Sequence, residues 1–159
     1  MKKKIIMSAL LFFSLGFCFA QVPLFRYYNH KTKMHYYTTN FNEYGNGVGD
    51  WALEGPACRV FAKRVRRDLV PLYRYIDDQT TDHFYTINPN LLGRGTVHYR
   101  LEGVACYIFR DRAPGTIPFY KYIKKSTGEH FYTADRSELG RGFDGFELNN
   151  IEGYVYPAR

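Results

Sequence analysis

The chain is short of the residues from which catalytic and metal-binding motifs are built. Its 159 residues include three cysteines and one tryptophan. No His-Glu-x-x-His and no Cys-x-x-Cys occurs, so two familiar zinc signatures are missing. There is no Gly-x-Ser-x-Gly nucleophile elbow and no phosphate-cradling loop ending in Gly-Lys. A non-enzymatic chain is expected, without catalytic residues, metal ligands or cofactors. Long apolar runs are limited to one. Residues 5–19 are apolar apart from Ser8, Ser14 and Gly16, which is short for a membrane span. Lys2-Lys3-Lys4 precedes the run, and Cys18-Phe19-Ala20 ends it with small residues at both positions that a signal peptidase reads. Residues 1–20 are therefore expected to be a signal peptide. The mature protein, 21–159, is expected to be secreted or periplasmic and to have no membrane span.

Excess charge of one sign is also modest. The formal net charge is +7, and three lysines leave with the leader, so 19 Lys and Arg then face 15 acids, a net of +4. This is too mild to argue for nucleic acid. The cluster Lys63-Arg64-Val65-Arg66-Arg67 reads as a solvated linker, or else as a patch for an acidic wall polymer. Cys58 and Cys106 remain after cleavage. An exported chain can bridge them, if the fold brings them within bonding distance. Otherwise they serve as two small buried hydrophobes.

Aromatic residues are abundant: 15 Tyr and 13 Phe, with every Tyr in the mature chain. They recur with a period. Leu24-Phe25-Arg26-Tyr27, Leu72-Tyr73-Arg74-Tyr75 and Phe119-Tyr120-Lys121-Tyr122 open three copies of one unit. Nine residues after each basic residue come His35-Tyr36-Tyr37-Thr38, His83-Phe84-Tyr85-Thr86 and His130-Phe131-Tyr132-Thr133. Nine after each His stand Tyr44, Leu92 and Leu139, followed directly by the glycine doublets Gly45/Gly47, Gly93/Gly95 and Gly140/Gly142. Glu54-Gly55, Glu102-Gly103 and Glu152-Gly153 close the copies. The copies are 23–70, 71–117 and 118–159, and a fixed period of this size marks a repeated supersecondary unit.

Each copy predicts a hairpin, a polar turn capped by Asn40, Asn88 or Asp135, and one or two more strands with a bulge at Glu-Gly. No long helix is predicted. A lone hairpin cannot bury its apolar face, so three copies are expected to share a core. The fold class is all-β, with three repeats of about 45 residues closed around a pseudo-threefold axis. A β-trefoil-like closure is favoured because three is its natural number; a three-bladed β-propeller is the alternative.

Residues that occur three times suit folding better than catalysis, whose groups have different jobs. As hydrogen-bonding partners of the aromatic layer, His35, His83 and His130 would be structural. As ligand groups, they would join Arg26, Tyr27, Arg74, Tyr75, Lys121 and Tyr122 in three equivalent pockets. There a ring would cover a sugar face and a cation hold its polar groups, with the variable hairpin turns tuning specificity.

Tyr73-Arg74, His83-Phe84-Tyr85-Thr86 and Glu102-Gly103-Val104-Ala105, with Gly128-Glu129-His130-Phe131-Tyr132-Thr133, resemble a secreted bacterial tyrosine-rich repeat family of uncharacterised function. Its units read Tyr-Arg-x-Tyr-Asn, His-Phe-Tyr-Thr and Tyr-Glu-Gly-Val-Ala. The likeness covers nearly all of 23–156 and departs after Gly153, where Ala-Cys is missing. Members are often appended to extracellular cell-wall or polysaccharide hydrolases. The resemblance implies a binding module for cell-envelope or extracellular carbohydrate. An envelope protein-interaction module or inhibitor is the alternative.

Overall fold

Aromatic and branched residues bounded by polar turns favour strands, and the computed structural model, which describes residues 20–159, is all-β with a curled half-barrel sheet. The expected leader, save Ala20, lies outside the described residues. Ten strands run in order: β1 Val22–Asn29, β2 His35–Thr38, β3 Gly47–Val48, β4 Trp51–Val60, β5 Leu69–Asp77, β6 His83–Thr86, β7 Tyr99–Phe109, β8 Ile117–Lys124, β9 Glu129–Thr133 and β10 Phe146–Val155. They form a four-stranded sheet, β2-β1-β4-β3, and a six-stranded sheet, β6-β5-β7-β10-β8-β9.

The same antiparallel three-stranded unit occurs three times. β1 pairs with β2 and β4, β5 with β6 and β7, and β8 with β9 and β10. The units are 22–60, 69–109 and 117–155. Their last strands also meet. Tyr154 pairs with Phe109, and single bridges join Arg59 to Tyr156 and Phe61 to Tyr107. Along β5, burial falls on Leu69, Leu72 and Tyr75, every third residue rather than every second. Two register shifts between β5 and β7 account for this, because each bulge adds twist and turns the strand about its axis.

The bulges correct the expected alignment of the third unit. In the first two units the unpaired bulge residues are Glu54 with Ala57, and Glu102 with Ala105. In the third they are Asn149 and Glu152. Glu152-Gly153 is thus three residues past the structural counterpart of the other Glu-Gly pairs. Glu152 occupies the position of Ala57 and Ala105, and Gly153 the position of Cys58 and Cys106. In the third unit the place of the two cysteines is thus taken by a residue without a side chain.

The core shows why. Leu24, Leu72 and Phe119 are cross-strand partners of Cys58, Cys106 and Gly153. All are in or against one buried cluster with Tyr37, Tyr85, Tyr132, Val60, Ile108 and Val155. Where Phe replaces Leu, Gly replaces Cys. A Cβ at Gly153 would lie 2.7 Å from both Ile108 Cδ1 and the Phe109 carbonyl oxygen. Cys58 and Cys106 are free and fully buried thiols, and burial pushes both above the usual thiol range.

The expected caps form. Asn40 accepts from the Asn42 N–H over a 3-10 turn at Phe41–Glu43. Asn88 and Asp135 accept from the N–H groups of Asn90 and Ser137. The second glycine of each doublet is required by close approach. At Gly47, Gly95 and Gly142 an added Cβ would meet a backbone oxygen at 2.7, 2.6 and 2.5 Å.

Candidate functional site

The sequence-selected residues come together, but at contacts between units. At the centre, three tyrosines form a ring of hydrogen bonds. The Tyr37 hydroxyl donates to the Tyr132 carbonyl at 2.7 Å and accepts from the Tyr132 N–H at 2.8 Å. Tyr85 does the same to Tyr37 at 2.9 and 2.8 Å. Tyr132 does so to Tyr85, again at 2.9 and 2.8 Å. The sequence marked Tyr27, Tyr75 and Tyr122 instead. Their rings are fully buried, and their hydroxyls donate to the carbonyls of Gly45, Gly93 and Gly140. They cannot offer a face to a ligand.

The basic residues bind neighbours. Arg26 donates to Glu54 at 2.7 Å, forks onto Glu138 of the third unit, and lies 4.7 Å from the Phe131 ring centre. Arg74 donates to Glu102 at 2.8 Å and to the Tyr36 hydroxyl of the first unit at 2.6 Å, over the Tyr36 ring. Lys121 pairs with Glu152 at 2.8 Å over Phe84 of the second unit. Lys121 and Glu152 are both buried. Glu152 also accepts from the Thr86 hydroxyl and the Ile87 N–H. Burial opposes ionisation of Glu152, but the Lys121 charge and these hydrogen bonds outweigh it and hold its carboxyl below the usual range.

The histidines follow the same direction. His35 Nδ1 lies 2.7 Å from Glu129, and His130 Nδ1 lies 2.6 Å from Asp82. Each acid immediately precedes the His of its own unit and faces the His of the next. In the first unit that position is Met34, which gives His83 no oxygen. His83 Nδ1 is the one buried side-chain polar atom without a partner among the described residues. Its other nitrogen is 3.5 Å from Glu102. The His83 link to Glu102 and the Arg74 charge hold the Glu102 carboxyl below its usual range, against burial.

This contact between the first and second units is also where a cleft opens. Its volume is about 340 Å³, and Tyr36, Tyr44, Trp51, Asn29, His83 and Glu102 are among its lining residues. The Tyr44 and Trp51 rings lie 5.0 Å apart, tilted by 37°, and both are partly exposed. The corresponding residues are Leu92 and Tyr99 in the second unit, and Leu139 and Phe146 in the third. Sequence reasoning found His83 but missed Tyr44 and Trp51. The signal was there: Trp51 is the one tryptophan, and Tyr44 stands where the other copies have leucine.

The family model for a domain of unknown function, DUF5648, matches residues 23–156. The chain belongs to the DUF5648 family. No curated protein and no solved structure matches it. Across the described residues of this DUF5648 domain, no group of three or more His, Cys, Asp or Glu is placed to hold a metal ion, and no helix is long and apolar enough to cross a membrane. The cleft of the DUF5648 domain combines two ring faces with a carboxylate, an imidazole and an amide. That set can cover the apolar face of a small ring and hydrogen-bond its rim.

Proposed function

We propose that this DUF5648 domain is a secreted or periplasmic, non-catalytic module that binds cell-envelope or extracellular carbohydrate. The observation that carries the reading is the cleft between the first and second units. There Tyr44 and Trp51 stand beside Asn29, His83 and Glu102, an arrangement suited to a pyranose with one apolar face and a hydroxyl rim. The ligand-binding role thereby moves from three equivalent pockets to one cleft, in which His83 alone of the sequence-selected residues lines the wall. We read the three units as a pseudo-threefold ring of the β-trefoil kind. The tyrosine ring and the mutual bridges of β4, β7 and β10 support that reading. The resemblance to a tyrosine-rich repeat family whose members are often appended to wall hydrolases points to the same class of target.

The experiment is a glycan array and a pull-down on insoluble peptidoglycan, using the secreted protein and Trp51→Ala. Retention by a glycan, lost on removal of the indole, supports the reading. Equal behaviour of the two proteins refutes it. The protein-interaction alternative is favoured by one observation. Val48, Val97 and Phe143 are 57%, 92% and 70% exposed, each next to or near the second glycine of a doublet. Replacing all three by Ser would abolish an envelope-protein contact and leave glycan retention intact.

A further inference from the structure

The positive charge is not spread over the molecule. Residues 61–68 connect β4 to β5, and residues 110–116 connect β7 to β8. Lys63, Arg64, Arg66, Arg67, Arg110 and Arg112 stand there against Asp68 and Asp111, a net of +4. Elsewhere in residues 21–159, 13 Lys and Arg balance 13 acids, so the two connectors hold the whole excess. All six cations are exposed. Among the described residues, Arg66 alone of the six forms an ion pair, a fork onto Asp68. Arg26, Arg74 and Lys121 are by contrast engaged by acids beside the strands. The connectors are also held together. Phe61 and Tyr107 exchange backbone hydrogen bonds, and Phe61, Leu69 and Phe109 form a small core against which Val65, Ala113 and Tyr156 pack. On that base Arg67, Arg110 and Arg112 line one concavity of about 310 Å³.

We propose that the two connectors form a site for a phosphate monoester carried by an envelope glycan, separate from the aromatic cleft. Like charges gathered without acids to neutralise them repel one another, and a bound anion relieves that repulsion. Two acids line the concavity. Asp68 is taken up by Arg66, which leaves Asp111 against three arginines, a local charge of +2. A phosphate monoester at neutral pH carries close to the opposite charge and has three terminal oxygens. Guanidinium forks suit such oxygens, whereas one fork already satisfies both oxygens of a carboxylate. Among the described residues, none of the exposed large apolar side chains belongs to a connector, so the face lacks the anchor of a membrane-docking surface. Phe109 lines the concavity but is buried and offers no face on which a base stacks. The cleft is at the other end of the strands. Val70 lines the basic concavity and Ile76 the cleft, roughly 20 Å apart along β5. The two sites share no residue, so this one stands or falls separately.

The test titrates the secreted protein with glucose 6-phosphate, followed by ¹H–¹⁵N NMR of the backbone and the arginine Nε groups. Glucuronate is the carboxylate arm, glycerophosphoglycerol the diester arm, and vesicles of phosphatidic acid in phosphatidylcholine the lipid arm. Shifts are expected to gather on both connectors and to persist in Trp51→Ala. Affinity is expected to rise between about pH 5 and 7.5, as the phosphate takes its second charge while no histidine lines the concavity. Arg110→Gln with Arg112→Gln is expected to weaken binding roughly tenfold and leave Tm unchanged, both side chains being exposed. Arg94→Gln with Arg141→Gln removes the same charge from exposed positions within the glycine doublets and is expected to bind as wild type. An equal loss in that control overturns the site and leaves only net charge. Binding of glucuronate or the diester as tightly as glucose 6-phosphate overturns the monoester assignment. Tighter binding, per exposed phosphate, to the vesicles overturns the glycan in favour of a membrane. No shift on the connectors at high glucose 6-phosphate overturns the inference, and the cleft is untouched by that result.

Discussion

Tyr85→Phe removes one oxygen atom from the centre of the molecule. That oxygen donates to the Tyr37 carbonyl and accepts from the Tyr37 N–H, at 2.9 and 2.8 Å. The Tyr85 side chain is fully buried, so water cannot replace either bond. The ring area stays, and the hydrophobic contribution is unchanged. Two backbone groups are orphaned, each at about 1–3 kcal/mol, while the relief of no longer burying a hydroxyl offsets part of this. The expected loss is about 2–4 kcal/mol. At roughly 4 °C per kcal/mol for a chain of this size, Tm falls by roughly 8–16 °C. Urea denaturation followed by Trp51 fluorescence gives the free energy, provided the denaturant slope stays constant. Tyr75→Phe is the control. Its ring is just as buried, but its hydroxyl makes one bond, to the carbonyl of the exposed Gly93, which water can take over, so about 1 kcal/mol or less is expected. A Tyr85→Phe protein within about 1 kcal/mol of wild type, or a control that costs as much, would refute the hydrogen-bonded ring as a source of stability. Tyr37→Phe and Tyr132→Phe break matching pairs and are expected to give matching losses.

Arg74→Ala removes bonds to Glu102 and Tyr36 as well as a stacked contact, so a loss of about 2–3 kcal/mol is expected by thermal melting. An unchanged Tm would instead favour a free, ligand-facing arginine. Gly153→Ala places a methyl 2.7 Å from the Phe109 carbonyl, and overpacking of about 1–3 kcal/mol is expected in urea titrations. Glu54, Glu102, Glu138 and Glu152 all have carboxyls held below the usual range, so their stabilisation is present above about pH 4.5 and lost on acidification through the folded values. Burial opposes the charge on His35, but Glu129 and Glu54 outweigh it and raise its pKa, so its contribution is complete below about pH 6.5 and fades as pH rises through the folded value. A Tm profile from pH 3 to 9 should peak in the mildly acidic range, and Glu152→Gln should flatten its acid side.

The hairpins, the caps and the glycine doublets were legible because each is a local matter of turn chemistry and spacing. The third unit's register was not, because Glu152-Gly153 imitates a motif it does not match. Spacing gave the clue: His35 to Glu54 and His83 to Glu102 are 19 residues, His130 to Glu152 is 22. Residue type outweighed spacing, yet bulge position fixes which side chain faces the core. The site was half legible. Met34, Asp82 and Glu129 are plainly visible before the three histidines, but only the fold shows that each faces the histidine of a different unit. Arg26, Arg74 and Lys121 were offered as ligand groups because a cation beside tyrosine looks the same on a surface as in a staple. The deciding fact is which acid lies across the gap.

Among the described residues, the tyrosine hydroxyls, the basic side chains of the hairpins and the rings they cover link the units the same way round. The first unit reaches to the third, the second to the first and the third to the second, whether through tyrosine hydroxyl, basic side chain or ring stacking. One unit therefore has two different faces, a giving face and a receiving face, and neither is complementary to itself. Contacts of this head-to-tail kind form closed rings when the rotation per step divides a full turn, and open fibres when it does not. A separate chain of one unit's length would carry both faces and so could bind copies of itself. With the second unit's sequence such chains should assemble as trimers, since Asp82 and His83 then complete every junction. With the first unit's sequence, Met34 would leave three junctions unsealed, and the assembly should be the weaker for it.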